Sequence, residues 1–361
     1  MWQPLVVYFA LVALGVVLNY RALRNYLLLP WIPAIKEQPE RWPHVSVIVP
    51  LGDESASDPT ALLGSLEALD YPATDVVIAD YRPSGDDTEP GVSTAVRRLR
   101  LGEIPAGWSS RSFACWRAAE ASEGEWLLFT AAHCTHHPDS LKRALGWALR
   151  ERVAALSLLL QQRCLTFWER LLLPYYCQQL FTSVPRERVN QAGDLFALAV
   201  DDYFLVRREV YFEGGGHASV AARQLPESAL AAILKSRGAA VQLARGEQLG
   251  STRPYAGFHQ LANRASRKAL ALLRWLSTRA VLTLAGAGLS LLAIPCAAYG
   301  LALHSRPFEL AALVTYVASV SELFLWNLVL QVPLSYALGQ PVAAATAALI
   351  TARSMLSRRP A

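Results

Sequence analysis

Charged side chains are scarce in this chain of 361 residues: Asp, Glu, Lys and Arg make up 17 % of it, against 53 % hydrophobic residues. Soluble domains usually carry roughly 25 % charge, so the composition argues against a purely soluble enzyme. Glycine and proline, at 21 each, are too few for a collagen-like or low-complexity chain. Sulfur is sparse as well. The five cysteines (Cys115, Cys134, Cys164, Cys177 and Cys296) form no Cys-x-x-Cys pair, which argues for a reducing compartment and against a disulfide scaffold or a structural zinc.

The few charges are unevenly placed. Residues 1–30 hold only Arg21 and Arg24, and residues 280–361 hold Arg306, Arg353, Arg358 and Arg359 against Glu309 and Glu322. The 249 residues between carry 55 of the 63 charged side chains, 28 basic and 27 acidic. That middle is a near-neutral globular domain. A nucleic-acid binder concentrates its positive charge in the folded domain, whereas most of this +5 excess lies in the ends, so no nucleic-acid partner is expected.

The ends have the pattern of membrane anchors. Residues 1–20 carry no charge, and about 20 apolar residues suffice to cross the hydrocarbon, with Trp2 as an interfacial anchor. A signal peptide has its basic residues before the apolar run; here Arg21 and Arg24 come after it. The positive-inside preference then puts the N-terminus outside and the middle domain in the cytoplasm. Residues 280–303 form a second uncharged stretch, and residues 308–332 form a return span carrying Glu322, whose carboxyl must face another helix, be protonated or meet an acceptor. Residues 341–352 read as interfacial, with a third C-terminal span as the alternative. The expected organisation is an anchor at 1–30, a cytoplasmic domain at 31–279 and a membrane region at 280–361, a multi-pass protein of the inner (plasma) membrane.

The middle domain reads as α/β. The runs Val-Ser-Val-Ile-Val-Pro (residues 45–50) and Asp-Val-Val-Ile-Ala-Asp (75–80) flank a helical stretch at 61–69, which is the βαβ unit of a parallel sheet. Further strands are expected at 125–130 and 154–160, after helices at 112–121 and 140–151. Ligands of such sheets bind beyond the carboxyl ends of the strands, where Asp53, Asp80 and residues 131–139 converge. Residues 165–181, apolar and aromatic-rich but broken by polar residues, read as an interfacial element near the cleft, or else as a buried core helix.

The first of these runs with Asp53-Glu54 after it, then Val-Val-Ile-Ala-Asp80, Gly107-Trp108-Ser-Ser-Arg111, residues 119–139, Tyr203-Phe-Leu-Val-Arg-Arg-Glu-Val210, Gly214-Gly-Gly-His217 and Leu225-Pro-Glu227 succeed one another in a set order. In that order they resemble the membrane-anchored family 2 glycosyltransferases of the GT-A fold. The branch they resemble is the hopanoid-associated and ceramide-glucosyltransferase-like one, which also ends in apolar helices. The resemblance implies a Rossmann-like, mixed but mostly parallel sheet flanked by transmembrane helices. It also implies inverting transfer of a sugar from a nucleotide sugar, a UDP-sugar by analogy, to the hydroxyl of a hopanoid, carotenoid or sphingolipid-like lipid.

Carried over residue by residue, the resemblance assigns Pro50, Asp53, Glu54, Asp80, Arg111 and His133 to the nucleotide sugar and Glu227 to the catalytic base. The family's Asp-x-Asp, which holds a divalent cation, reads Ala131-Ala132-His133 here, and its Glu-Asp reads Pro226-Glu227. The family's Mg2+ or Mn2+ therefore lacks its usual carboxylates. Two substitutes are open. A metal can sit on His133, His136 or Asp139, although Pro138 makes that segment a loop; or the cations Arg253, Arg264, Arg267 and Lys268, in a stretch without acids from 248 to 308, can take the leaving diphosphate or meet anionic lipid. The other functional class is a pseudo-glycosyltransferase that keeps the fold as a binding or partner subunit of another protein.

Overall fold

The computed structural model describes residues 3–34, 39–52, 59–82, 96–255, 257–263, 291 and 297–356. It comprises two compact units, one of residues 29–163 and 186–254 and one of residues 1–28, 164–185 and 255–361.

The first unit is built on a seven-stranded sheet. Its strands are β1 (Val45–Leu51), β2 (Thr74–Asp80), β3 (Val96–Arg100), β4 (Trp126–Thr130), β6 (Ala155–Leu159), β8 (Tyr203–Arg207) and β9 (Val241–Arg245), in the order β3-β2-β1-β4-β8-β6-β9. The pairs β1/β2, β2/β3, β1/β4 and β6/β9 are parallel, and β8 alone runs against its neighbours β4 and β6. A small second sheet joins β5 (Cys134–His136), β10 (Gly250–Thr252) and β7 (Gln161–Gln162) in the order β5-β10-β7.

Alternation along each strand divides the core in two. Val45, Val47, Val49 and Leu51 of β1, Trp126 and Leu128 of β4 and Leu205 of β8 pack on one face with α2 (Thr60–Glu67) and α4 (Ser140–Arg150). Ile48, Leu127, Phe129, Phe204 and Val206 pack on the other with α3 (Ser110–Glu120), α7 (Arg208–Glu213) and α8 (Pro226–Ser236). Helix α4 shows why these segments are helical: Leu141, Ala144, Leu145 and Ala148 recur at the spacing of a single face and are buried. The single turn α6 (Arg186–Val189) is tied to α8, since Lys235 Nζ donates to the carbonyls of Arg188 (3.1 Å) and Val189 (3.2 Å).

The strands and helices expected at 45–80, 110–130 and 140–160 are present. Two elements differ from the expectation. Residues 134–136, read as a loop because of Pro138, pair antiparallel with β10 as strand β5; the proline ends this strand instead of preventing it. Strand β3, Val-Arg-Arg-Leu-Arg, is an edge strand with no fully buried residue, so it lacks the apolar signal of the others.

The second unit contains α1 (Gln3–Leu27), α5 (Phe167–Ser183), α9 (Arg306–Leu330) and α10 (Gln340–Leu356). Helices α1 and α9 are long and apolar enough to cross a membrane. Residues 164–185 belong to this unit rather than to the sheet. A capping box of Thr166 and Glu169 starts α5, and Asn25 ends it by donating to the carbonyls of Phe181 (3.1 Å) and Val184 (2.8 Å). Glu322, expected to face another helix, accepts from Gln178 Nε2 of α5 at 3.0 Å. The expected span at 280–303 lies mostly outside the described residues. Residues 341–352 fall within α10.

Candidate active site

Topology collects the candidate residues at one edge of the large sheet. Strands β1, β2 and β4 end there; β8, being reversed, begins there, which brings in Asp201 and Asp202. Helices α3 and α8 return antiparallel to the strands they precede, so their first turns, with Arg111 and Glu227, open onto the same edge. Asp53 and Glu54 lie outside the described residues.

Gly52 continues β1. A Cβ there would stand 2.0 Å from the Tyr81 ring, so this aromatic, in place of a second acid after Asp80, packs directly against the glycine. Pro50 is buried within β1, in register with Ala79. Asp80 reaches the end of β2, but its carboxylate is already engaged. Oδ1 accepts from Arg82 N–H (3.0 Å) and Nε (3.1 Å), and Oδ2 accepts from Arg82 Nη2 (3.0 Å) and from both Nε (3.0 Å) and Nη2 of Arg98. Burial pushes this carboxyl up, and the hydrogen bonds from Arg82 and Arg98 more than reverse that, holding it at about 2.

Glu227 is 3 % exposed at the head of α8. Arg111 Nε and Nη2 approach its Oε1 at 3.1 and 3.0 Å, and Arg111 Nη2 also donates to the Asp201 carbonyl at 3.0 Å. Burial favours the protonated acid, yet the Arg111 charge prevails and Glu227 lies below the usual glutamate value, ionised. Behind it stands His217, fully buried, with Nε2 3.9 Å from the same Oε1. Burial holds the imidazole's pKa below the ordinary histidine value. The Tyr211 hydroxyl accepts the His217 backbone N–H (3.1 Å) and lies in hydrogen-bond contact with Nδ1 (2.9 Å). Gly216 makes this possible: at φ +50° it takes a left-handed conformation, and a Cβ would lie 2.6 Å from the Tyr211 ring and 2.7 Å from Trp116. All these contacts of Glu227 fall on Oε1, leaving Oε2 unengaged among the described residues.

At the end of β4, Ala131 and Ala132 offer no ligand atom. His133 Nε2 lies 3.0 Å from Asp202 Oδ1, and Cys134 Sγ lies 3.7 Å from that oxygen. The cluster His133, His136 and Asp139 expected from the sequence does not gather. His136 Nε2 is bonded to Thr130 Oγ1 at 2.9 Å, and Asp139 pairs with His137 and, at 3.5 Å, with Arg143. The group that does gather among the described residues is His133, Cys134 and Asp202. Hard cations such as Mg2+ and Mn2+ prefer all-oxygen surroundings, so this nitrogen, sulfur and oxygen set does not fit the ion that Asp-x-Asp would hold. Of the expected phosphate ligands, Arg253 adjoins this group, its N–H donating to the His133 carbonyl at 3.1 Å; Arg264, Arg267 and Lys268 lie outside the described residues.

Sequence reading missed Tyr211, Asp201, Asp202 and Cys134. The acid pair ahead of the Tyr203 run was the available signal for two of them.

Sheet order, the reversed β8 and the helix ends gathered at one edge define a GT-A glycosyltransferase fold. Neither a protein-family model nor a curated protein matches the sequence. Among solved structures, the mannosyltransferase PcManGT from Pyrobaculum calidifontis, in complex with GDP-Man and Mn2+, superposes with a TM-score of 0.54 at 17 % identity, over 98 % of this chain and 99 % of its own. Glucosyl-3-phosphoglycerate synthase from Mycobacterium tuberculosis, in complex with phosphoglyceric acid, gives 0.43 at 16 % identity over 69 % and 88 %. TarS from S. aureus, in complex with UDP-GlcNAc, gives 0.40 at 14 % over 88 % and 93 %.

Proposed function

We propose that this protein is a membrane-bound glycosyltransferase that moves a hexose from a nucleotide sugar to a lipid hydroxyl with inversion, its site on the cytoplasmic side. The observation that carries this reading is the state of Glu227: ionised, clamped through Oε1 by Arg111 and open at Oε2, at the strand-end edge where this fold binds its ligands. In the reaction Oε2 takes the proton of the acceptor hydroxyl, whose oxygen bonds to the anomeric carbon from the opposite face. The bond from that carbon to phosphate breaks, and its electron pair leaves with the nucleoside diphosphate. Arg111 supplies the field that keeps the base deprotonated while it waits. The departing negative charge meets Arg253, whose guanidinium suits a diphosphate.

The apolar character of the second unit supports a lipid acceptor. On α1, Val7 and Val17 are 60 % exposed, and on α9 Leu313 and Val317 are 57 % and 56 % exposed, apolar surfaces suited to hydrocarbon. Arg21 and Arg24, in the last turns of α1, favour the cytoplasm for the α/β domain that begins beyond them.

A second reading rests on Asp80 and on Ala131-Ala132: a carboxylate saturated by two arginines and an Asp-x-Asp without carboxylates suit a pseudo-glycosyltransferase serving as a partner subunit. One experiment separates the two. The detergent-purified protein is assayed for transfer from radiolabelled UDP- and GDP-sugars to extracted lipids, with EDTA and with added Mn2+, beside Glu227→Gln. Transfer that falls about 10²- to 10⁴-fold in Glu227→Gln supports the enzyme. Absence of turnover under every condition, with nucleotide still bound, overturns it in favour of the partner subunit.

A further inference from the structure

We propose that His133, Cys134 and Asp202 form a binding site for a zinc-class cation, in place of the hard cation expected at the end of β4. Three elements supply the ligands. His133 lies in the turn after β4, Cys134 opens β5, and Asp202 precedes β8, 68 positions from Cys134 in sequence. Their ligand atoms all lie within 4.8 Å of one another.

The distances are those of a site close to assembled. Zinc bonds of about 2.0–2.3 Å at tetrahedral angles put neighbouring ligand atoms roughly 3.3–3.6 Å apart. The observed separations are 3.0 Å from His133 Nε2 to Asp202 Oδ1 and 3.7 Å from Cys134 Sγ to the same oxygen. Both lie within about 0.3 Å of that range, and every pair of ligand atoms lies within 4.8 Å.

The chemistry of the set selects the ion. A thiolate is a ligand for soft and borderline ions, imidazole suits zinc, and Mg2+ takes neither by preference. On binding, the Cys134 thiol releases its proton to solvent. The thiolate and the Asp202 carboxylate then balance the 2+ charge, and His133 binds as neutral imidazole, so the buried site is neutral overall. Three protein ligands leave a fourth position open, the arrangement of catalytic rather than structural zinc. The absence of Cys-x-x-Cys pairs is therefore no bar to it.

The surroundings hold the ligands in place. Thr130 Oγ1 donates to the Asp202 carbonyl at 2.9 Å, Cys134 N–H to the Ala131 carbonyl at 3.0 Å, and Arg253 N–H to the His133 carbonyl at 3.1 Å. The thiol is a weak donor, 3.6 Å from the Asp202 carbonyl, 3.7 Å from Asp202 Oδ1 and 3.5 Å from Thr252 Oγ1, so its release to a metal breaks no strong hydrogen bond.

The test needs no substrate, so its result is independent of the transferase reading. The full chain in detergent is stripped with chelator, and its affinity for Zn2+ is measured by competition with a chromophoric chelator. Co2+ is added in parallel to record the near-ultraviolet thiolate-to-cobalt band. The expected result is one Zn2+ per chain, a cobalt–thiolate band, at least about hundredfold weaker Zn2+ binding in Cys134→Ser and in Asp202→Asn, and loss of the band in Cys134→Ser. Far-ultraviolet circular dichroism confirms that each variant is folded, and His133→Gln serves if either is not. Stoichiometric zinc that all folded variants retain equally, no cobalt–thiolate band in the wild type, or stronger binding of Mn2+ than of Zn2+ overturns the proposal.

Discussion

Arg111 Nη2 lies 3.0 Å from Glu227 Oε1, a contact that ties the first turn of α3 to the first turn of α8 across 116 positions of sequence. Among the described residues, neither charge has another partner of opposite sign so close. The pair therefore fixes the geometry of the edge and the protonation state of its carboxylate together.

Replacing Arg111 by Met leaves the Glu227 carboxylate buried without its cation. Removing one partner of such a pair costs about 3–5 kcal/mol, and the partial exposure of the arginine places this one near the lower end. Urea unfolding in detergent should show that loss, and Glu227→Gln a smaller one. The Arg111 charge is what depresses the Glu227 pKa, so Arg111→Met raises it. Any acid limb in the rate profile should move to higher pH in the variant. An unmoved limb excludes Glu227 as the titrating base.

Asp80 gives a pH signature of its own. Its folded value of about 2 lies below the ordinary 3.8, so the unfolded chain binds more protons between those values. The stabilisation is complete above about pH 4 and is lost as pH falls towards 2. That difference corresponds to roughly 2–3 kcal/mol at neutral pH, which Asp80→Asn should remove. Stability curves of wild type and variant recorded from pH 2 to 7 should converge at the acid end.

Gly216→Ala should destabilise by at least about 2 kcal/mol, from left-handed strain and from the contact with Tyr211. Thermal unfolding measures this. Gly193→Ala, also at positive φ but with open space around its Cβ, isolates the strain alone and should cost less.

The exposed apolar faces of α1 and α9 predict how the protein fractionates. It should stay in the membrane pellet through high salt and alkaline carbonate and leave only with detergent. Release by salt alone would mark it as peripheral and remove the basis for a lipid acceptor.

How legible the molecule was depended on how local each signal is. Strands β1, β2 and β4 could be read because a strand buried on both faces must be apolar throughout its length. Strand β3 could not, because an edge strand needs no apolar face, and Val-Arg-Arg-Leu-Arg looks like a charged loop. Strand β5 was hidden by Pro138, since its partner β10 lies more than a hundred positions away. The same applies to the site. Asp80 was found by its place at a strand end, and Arg111, His133 and Glu227 by the family resemblance. What they bind was not: Asp80 is held by Arg82 and Arg98, Glu227 by Arg111, and His133 by Asp202. Local spacing does not encode such long-range pairing. The Tyr211–His217 bond spans only six positions, but without the positive φ of Gly216 the hydroxyl has no evident route to the imidazole.

Strand β8 also dictates an order of assembly. It pairs with β4 through Trp126–Arg207 and with β6 through Ala155–Val206, and both neighbours are synthesised before it. Until residue 207 has left the ribosome β3-β2-β1-β4 and the lone strand β6 remain apart, each with an unpaired edge, and β9 follows only later. Helix α5 emerges within that interval, after β6 and before β8. The nascent chain thus delivers α5, which packs against α1, while its sheet is still open and awaits β8 to fill the slot.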